Sequence, residues 1–506
     1  MDPSTPVVVG VGQVADPAGA PGHAAWSPVE LAAEAARTAL ADAGGRGVAE
    51  VLDIVAGIRQ FEVSFPNAPV PFGRADNYPR AVAQRVGADP FFAVLDVVGG
   101  QGPQSLVTEI AAGIAEGRVR AGMVVGSEAI STVATLLGAG ERPDWSETVG
   151  GQLEDRGLGL KGIVTSDLIR HGLLDAVALY SMLENARRRR LGLDRATYAR
   201  TMAELFAPFT AVAAANPLAA VRDARSADEL LAVSDRNRML TDLYPVSLVA
   251  RDKVNLGAAV VLTSVGEARA RGIPADRWVF LSGHAGLREQ RLSERPDVSG
   301  SPAAARCVAH ALEVAGIGMD DVELLDLYSC FPVAVSAIAD PFGLRADDPR
   351  GLTVTGGLPF FGGPGNAYSL HAIAKVVEAL RERPGTHGLV WANGGTFSKH
   401  AAGVYTSVPT VWRPDDSAVI QAEIAGWPAL GATDEPEGDA AVDTFTIAHT
   451  PGGDVTIVRG RLADGRTFIA NPGDPETAAM FESEDVFGAK VRAAPGEHGN
   501  VVHLVG

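Results

Sequence analysis

One pattern constrains the fold of this chain more than any other: the same order of motifs appears twice. Ala39-Leu40-x-x-Ala43-Gly44 returns as Ala311-Leu312-x-x-Ala315-Gly316, 272 residues later. Leu52-Asp53 returns as Leu325-Asp326 at an offset of 273, and Gly122-Met-Val-Val lines up with Gly388-Leu-Val-Trp at 266. A single match between alanine-rich helices is ordinary. Three in the same order, each on the same kind of element at nearly constant spacing, point to two copies of one unit.

The unit alternates strands and helices. Val7–Val11, Val51–Gly57, Ala93–Val98 and Gly122–Gly126 read as apolar strands, and a proline- and asparagine-rich loop, Pro66–Pro79, precedes the third. Ser27 as N-cap and Pro28 at the first turn open a helix that Gly44 stops. Another helix, Gln104–Glu116, follows Gly99-Gly100-Gln101-Gly102-Pro103, and Leu256–Ser264 closes the first copy as a small-residue strand. Such alternation implies an α/β sheet. In the second copy the richest stretch is Thr353–His400. A glycine loop, Gly356–Gly365, leads into a helix carrying Ile373, Val376, Val377 and Leu380, then a buried strand, Leu389–Trp391, then a second glycine loop, Asn393–Gly395. Loops at strand ends are where sites are built, although glycine turns on their own are a weak signal.

Between the copies, roughly Ser131–Val246, the chain reads as helical and polar, with Trp145 and helical runs Asp175–Leu191 and Ala196–Phe209. Arg187–Arg190 stands out in a chain of net charge −18. Four successive arginines wrap around a helix, so part of the run reads as solvated surface, and part can supply charge to a phosphate-bearing ligand. After Pro409, alternating stretches Asp443–His449, Val455–Leu462 and Arg466–Ala470 are separated by the turns Pro451–Asp454 and Asp464-Gly465. They predict a small all-β domain forming an open barrel. The expected domains are therefore 1–273, carrying the insertion at about 131–246, then 274–410 and 411–506.

The acidic charge excludes a nucleic-acid partner, which needs a basic face. The two cysteines, Cys307 and Cys330, make no disulfide framework and fit a reducing compartment. No signal peptide, long apolar run or peroxisomal address (the chain ends HLVG) is present, so a cytoplasmic protein with no membrane partner is expected.

These features resemble the thiolase superfamily, over residues 1 to about 410. The resemblance is to sterol-carrier-protein-type thiolases and most of all to the type 1 thiolase-like proteins, which add a C-terminal β domain of the oligonucleotide/oligosaccharide-binding type. Leu183-Glu-Asn-Ala-Arg187 and Ala213-Ala-Ala-Asn-Pro217 are similar to their loop-domain helices. Gly257–Ser264 resembles their DGAAA strand, with Leu256 where Asp is usual. The resemblance implies a duplicated, five-layered αβαβα fold and binding of CoA or acyl-CoA as substrate or ligand, with no permanently bound cofactor and no metal. It allows a monomer or a homodimer. Members are usually labelled acetyl-CoA acetyltransferases.

The chemical positions of that family are changed here. The nucleophilic cysteine ahead of the C-x-S-G-L helix corresponds to Gly102, which can form no acyl-enzyme. The Asn or His that heads the second motif is Tyr328, in Tyr328-Ser329-Cys330-Phe331. The G-H-P loop reads Gly362-Gly363-Pro364-Gly365-Asn366, without His, and C-x-G reads Asn393-Gly394-Gly395. The resemblance therefore implies retained ligand loops, with Gly102, Gly363, Gly395, Arg187 and Arg188 as binding positions. Candidate chemical groups are Tyr328, Tyr368, His371, Asn393 and His400, with Lys399 beside the last, and Cys330 reads as a buried, inert thiol. Three functions stay open: an acyl-CoA-binding protein with atypical chemistry, a retro-aldolase on β-hydroxyacyl-CoA using Tyr328, and a non-catalytic scaffold.

Overall fold

A computed structural model describes residues 1–66, 68–483 and 485–505. Asn67 of the Pro66–Pro79 loop and Gly506 of the HLVG terminus, where the last expected domain ends, lie outside the described residues.

The first half runs β1 (Pro6–Ala15), α1 (Pro28–Ala43), β2 (Leu52–Gly57), α2 (Tyr78–Arg85), β3 (Phe92–Leu95), α3 (Gly102–Ala115) and β4 (Ala121–Ala129). An insertion then supplies α4 (Ile130–Ala139), β5 (Glu154–Asp155), α5 (Ser166–Arg170), α6 (Ala176–Leu191), α7 (Arg195–Ala215) and α8 (Ala227–Leu231), before β6 (Asn255–Ser264) and α9 (Val265–Ala270). The second half runs β7 (Phe280–Arg288), α10 (Pro302–Ala315), β8 (Leu324–Leu327), α11 (Pro332–Phe342), α12 (Tyr368–Glu382), β9 (His387–Gly394) and β10 (Lys399–Thr406). A final region holds α13 (Ser417–Ala425), β11 (Gly438–Thr450), β12 (Gly453–Leu462), β13 (Thr467–Pro472), α14 (Pro475–Ser483), β14 (Lys490–Gly496) and β15 (Gly499–Leu504).

The two halves build sheets of one design, β1-β6-β4-β2-β3-β5 and β7-β10-β9-β8. In each, the first strand lies antiparallel to the last, the last is antiparallel to its other neighbour, and the next pair is parallel. α3 and α12 lie between the sheets and touch both, while α1 and α10 cover the outer faces, giving five layers, αβαβα. Matched glycines allow this packing. A Cβ on Gly10 would stand 2.1 Å from the Ala39 carbonyl oxygen of α1, and one on Gly283 would stand 2.0 Å from that of Ala311 in α10. Helix and strand touch backbone to backbone at both places, and only glycine permits it.

The ladders test the repeat residue by residue. Gly10 pairs with Val261, which pairs with Met123; Gly283 pairs with Val404, which pairs with Leu389. Gly122 is thus the counterpart of Gly388, as the sequence indicates. The Leu-Asp match is a coincidence. Val124 pairs with Ala56 and Val390 with Asp326, so the partner of Asp326 is Ala56, three residues beyond Asp53.

The C-terminal strands form a closed barrel, β11-β12-β13-β15-β14, with β13 and β15 parallel. An open barrel was expected. Closure follows from the 13-residue length of β11, which pairs with β12 along its course and still offers Gly438–Ala441 to β14. The barrel has its own core around Phe445, Phe468 and Phe481. The insertion is less polar than its composition implies: α6 is buried from Ala178 to Arg188, packed against β11, where the Thr444 hydroxyl donates to the Met182 carbonyl at 2.8 Å. Among the described residues no helix is long and apolar enough to cross a membrane.

Candidate functional site

Four loops meet between the sheets. Val98–Gln101 precedes α3, Tyr328–Phe331 joins β8 to α11, Gly356–Ala367 precedes α12, and Gly395–Ser398 joins β9 to β10. Their contacts explain the glycines. A Cβ on Gly394 would lie 2.6 Å from Gly99 Cα and 2.7 Å from Gly100 N, so the last loop rests directly on the first. The third loop is tied to the first by Gly99 N–H donating to Asn366 Oδ1 at 2.9 Å and by the Ser369 hydroxyl on the Gly100 carbonyl. Tyr328 N–H donates to the Trp391 carbonyl at 3.1 Å, and Leu358 N–H to Ser329 Oγ at 3.1 Å, which fixes the second loop to the other two.

Gly100, rather than Gly102, faces this junction. A Cβ on Gly102 would point at Asp96, 2.8 Å from its Oδ2, whereas one on Gly100 would stand 2.2 Å from the Tyr328 hydroxyl. The phenol fills the space that a side chain ahead of α3 would need. Neither glycine supplies a nucleophile.

Tyr328 is buried, and burial pushes its hydroxyl well above the usual phenol range. It therefore keeps its proton and acts as a donor. Its ring meets that of Tyr368 edge-on at 5.5 Å. The chain has seven tyrosines, and six of their hydroxyls bond to other side chains: Tyr78 to Ser127, Tyr180 to Asn393, Tyr198 and Tyr244 to Glu184, Tyr368 to Asp326, and Tyr405 to Gln104. Tyr328 alone has no such partner among the described residues.

The other predicted groups are less available. Tyr368 is locked at 2.9 Å to Asp326 Oδ1 and at 2.6 Å to Thr355 Oγ1. Burial, partly offset by its hydrogen bonds, raises the pKa of Asp326. His371 lies wholly inside the protein with Nδ1 2.9 Å from Gln13 Oε1, and burial drops its pKa to about 3. It is a neutral core group and does not take the place of the missing G-H-P histidine. His400 is 3.1 Å from Ser301 Oγ, between Trp391 and Phe397, and burial likewise holds it at about 3. Asn393 does reach the junction: its Oδ1 accepts from Tyr180 at 3.0 Å and its Nδ2 lies 3.6 Å from Cys330 Sγ. Burial raises that thiol to about 12, so Cys330 is unreactive. Gly363 N–H donates to the Arg251 carbonyl at 2.7 Å, and Gly395 opens a left-handed run that includes Thr396 (φ 55°) and Phe397 (φ 60°).

The arginines are engaged elsewhere. Arg187 grips Asp340 at 2.8 and 2.9 Å, and Arg188 grips Asp485 at 2.7 and 2.9 Å. Both guanidinium groups are buried, clamping α6 to α11 and to the barrel region. They are structural rather than ligand-binding, because their fork geometry is already satisfied by carboxylates.

Two groups near the loops, Tyr180 and Glu128, escaped the sequence reading, and Lys399, named there beside His400, proves the more available of that pair. Tyr180 reaches in from α6 and stacks on Phe331 at 4.4 Å; it is 213 residues from Asn393, and no local pattern links them. Lys399 sits under the first loop with Nζ 2.8 Å from the Val98 carbonyl, and burial lowers its pKa to about 8. Glu128, at the end of β4, is buried against Gly365, and burial raises its pKa well above the carboxylate range. Beside it Glu62, raised to about 7 by burial, borders a cavity of about 410 Å³ that also meets Arg59, Arg74 and Tyr78.

The crystal structure of a monomeric SCP2-thiolase-like protein type 1 from Mycobacterium smegmatis matches this chain over 100% of both chains, at 44% identity and a TM-score of 0.85. This chain belongs to the SCP2-thiolase-like proteins of type 1. Consistently, a family model described as the thiolase-like protein type 1 additional C-terminal domain matches residues 419–498 of this type 1 protein. Two more distant structures share its fold. The Ltp2-ChsH2(DUF35) aldolase has 19% identity and a TM-score of 0.56, covering 80% of this chain and 98% of its own. An acetyl-CoA acetyltransferase from Syntrophomonas wolfei has 17% and 0.55, covering 80% and 99%. No curated protein matches this type 1 chain.

Proposed function

We propose that this protein binds an acyl-CoA thioester at the four-loop junction and polarises its carbonyl through Tyr328, without an acyl-enzyme. The observation that carries this reading is the Tyr328 hydroxyl, the one phenol without a side-chain partner among the described residues, set above Gly100 where a nucleophile would have to stand. The Tyr328 hydroxyl has its hydrogen-bonding capacity open to a ligand, and a carbonyl oxygen that gains negative charge is a fitting acceptor. The raised pKa supports a donor over a base.

A second reading, a retro-aldolase on β-hydroxyacyl-CoA, uses the same donor. The β-hydroxyl loses its proton, the Cα–Cβ bond breaks, and the electron pair passes to a thioester enolate held by Tyr328. Lys399, weakened to about 8 beside the first loop, is the base that this reaction would use. Acetyltransfer through a protein thioester has no group to carry it.

Titration calorimetry with CoA, acetyl-CoA and a longer acyl-CoA tests the proposal. Micromolar binding, about −8 kcal/mol, is expected. Tyr328→Phe should weaken the thioesters about tenfold and leave CoA, which lacks the carbonyl, unchanged. Equal affinity of both proteins for acetyl-CoA would remove Tyr328 from the site. No heat with any of the three would leave the scaffold reading.

A further inference from the structure

A second cavity, of about 360 Å³, lies where the end of α6, the segment Pro296–Ser299 and the strands β11 and β12 come together. Its charged lining is unusual for a chain of net charge −18. Arg189, Arg190, Arg459 and Arg461 line it with Asp297 and Asp443, and Arg190 also pairs with Asp340 at 2.6 Å, the carboxylate it shares with Arg187. Asp297 is turned back on its own loop, accepting from Ser299 N–H at 2.7 Å and from its hydroxyl at 2.9 Å. Asp443 is shared: its Oδ2 accepts from Arg459 at 2.6 Å and from Arg461 at 2.9 Å. One carboxylate oxygen thus serves two guanidinium groups.

Arg459 is buried, with 1% of its surface exposed, and its Nε has no partner among the described residues. Burial, with the neighbouring charges of Arg461 and Arg295, lowers it to about 10. Arg459 and Arg461 thus share one carboxylate, and among the described residues Arg189 donates only to the Asp443 backbone carbonyl at 3.0 Å, so positive charge gathers at this cleft. Clustered guanidinium groups recognise phosphoryl oxygens through forked, charge-assisted hydrogen bonds.

The cavity is also linked to the four-loop junction. Tyr180, bonded to Asn393, and Arg189 sit nine residues apart on α6, about 14 Å at a helical rise of 1.5 Å per residue. Arg295 spans the same gap: its carbonyl accepts from Arg459 at 2.7 Å and its guanidinium donates to the Phe397 carbonyl at 2.9 Å.

We propose that this cleft is a phosphate-binding site, and that it takes the nucleotide phosphates of the CoA thioester whose acyl end lies at Tyr328. The identification of CoA as the source rests on the proposed function; the phosphate chemistry of the cleft does not. The insertion and the barrel meet there, so the C-terminal region becomes part of ligand recognition.

Calorimetric titration of the full chain with pyrophosphate, adenosine 3′,5′-bisphosphate and CoA tests it. The comparison is between the parent protein, Arg189→Gln/Arg461→Gln, and a charge-matched control, Arg142→Gln/Arg345→Gln. Binding of all three ligands, weakened at least tenfold by the cleft pair and within twofold of the parent in the control, is expected. If the cleft pair lowers the melting temperature, Arg189→Glu alone, at an exposed position, reads the same effect. Equal losses in both double variants would assign the effect to net charge and overturn the proposal. CoA binding untouched by the cleft pair would overturn it too, while leaving the Tyr328 reading intact. Pyrophosphate and bisphosphate binding without CoA binding would keep the cleft and remove the CoA thioester. No binding of any of the three overturns the site.

Discussion

Ala56 and Asp326 occupy equivalent places in the two sheets and hold their surroundings in different ways. Ala56 lies in β2 and pairs with Val94, so an ordinary backbone ladder continues to β3. At Asp326, on the edge strand β8, the second sheet has no such neighbour among the described residues. The carboxylate stands in for the missing strand: Oδ2 accepts from Thr353 Oγ1 at 2.9 Å, Val354 N–H at 3.0 Å and Thr355 N–H at 3.2 Å, while Oδ1 holds Tyr368. A strand delivers residues in fixed alternation to its two faces. A loop hung on a carboxylate can instead run across the sheet end, as Gly356–Ala367 does, and meet the nucleophile-free loop of the other half. Duplication supplied the frame, and the second sheet, which ends at β8 where the first continues to β3 and β5, leaves room for the site.

Replacing the carboxylate breaks this comparison most severely. Asp326→Ala leaves several buried donors without an acceptor, at about 1–3 kcal/mol each, so a loss on the order of 4 kcal/mol in chemical denaturation is expected. Ala56→Ser should cost far less; similar costs would show that the loop is held by other contacts. The glycine pair sharpens the equivalence. Gly10→Ala and Gly283→Ala each press a Cβ onto a helix carbonyl, and both should lose about 3 kcal/mol. A difference of more than about 1 kcal/mol would show that the two helix–strand contacts are not the same device.

Acid separates the halves next. His371 and His400, both in the second half, are held neutral by burial at about 3. The unfolded chain takes up protons below about 6.5, so stability falls with pH from there toward 3. Each histidine should contribute about 2 kcal/mol of loss between pH 7 and pH 5. Removing both by His371→Gln/His400→Gln should flatten the profile in that window, and an unchanged slope would assign acid sensitivity to other groups.

Legibility followed distance along the chain. The repeat, the strand–helix order and the glycine loops were readable because each is local or recurs at fixed spacing. The Leu52-Asp53 match misled because composition carries no register, which only the ladder through Gly10 and Gly283 supplies. Tyr328 was legible as the head of a motif, but its hydroxyl's lack of a side-chain partner among the described residues was not. The arginine run was visible without its partners, since Asp340 and Asp485 lie 153 and 297 residues away. Tyr180, Lys399 and Glu128 owe their positions to packing between segments that the chain places far apart.

The most direct measurement of the Tyr328 account is isotope-edited infrared spectroscopy of acetyl-CoA labelled with ¹³C at the thioester carbonyl. Bound to the parent protein, the carbonyl stretch should move to lower frequency than in water, as a donated hydrogen bond in a buried site requires, and in Tyr328→Phe it should return toward the value of an unbonded thioester. A stretch that is the same in both proteins would contradict the account.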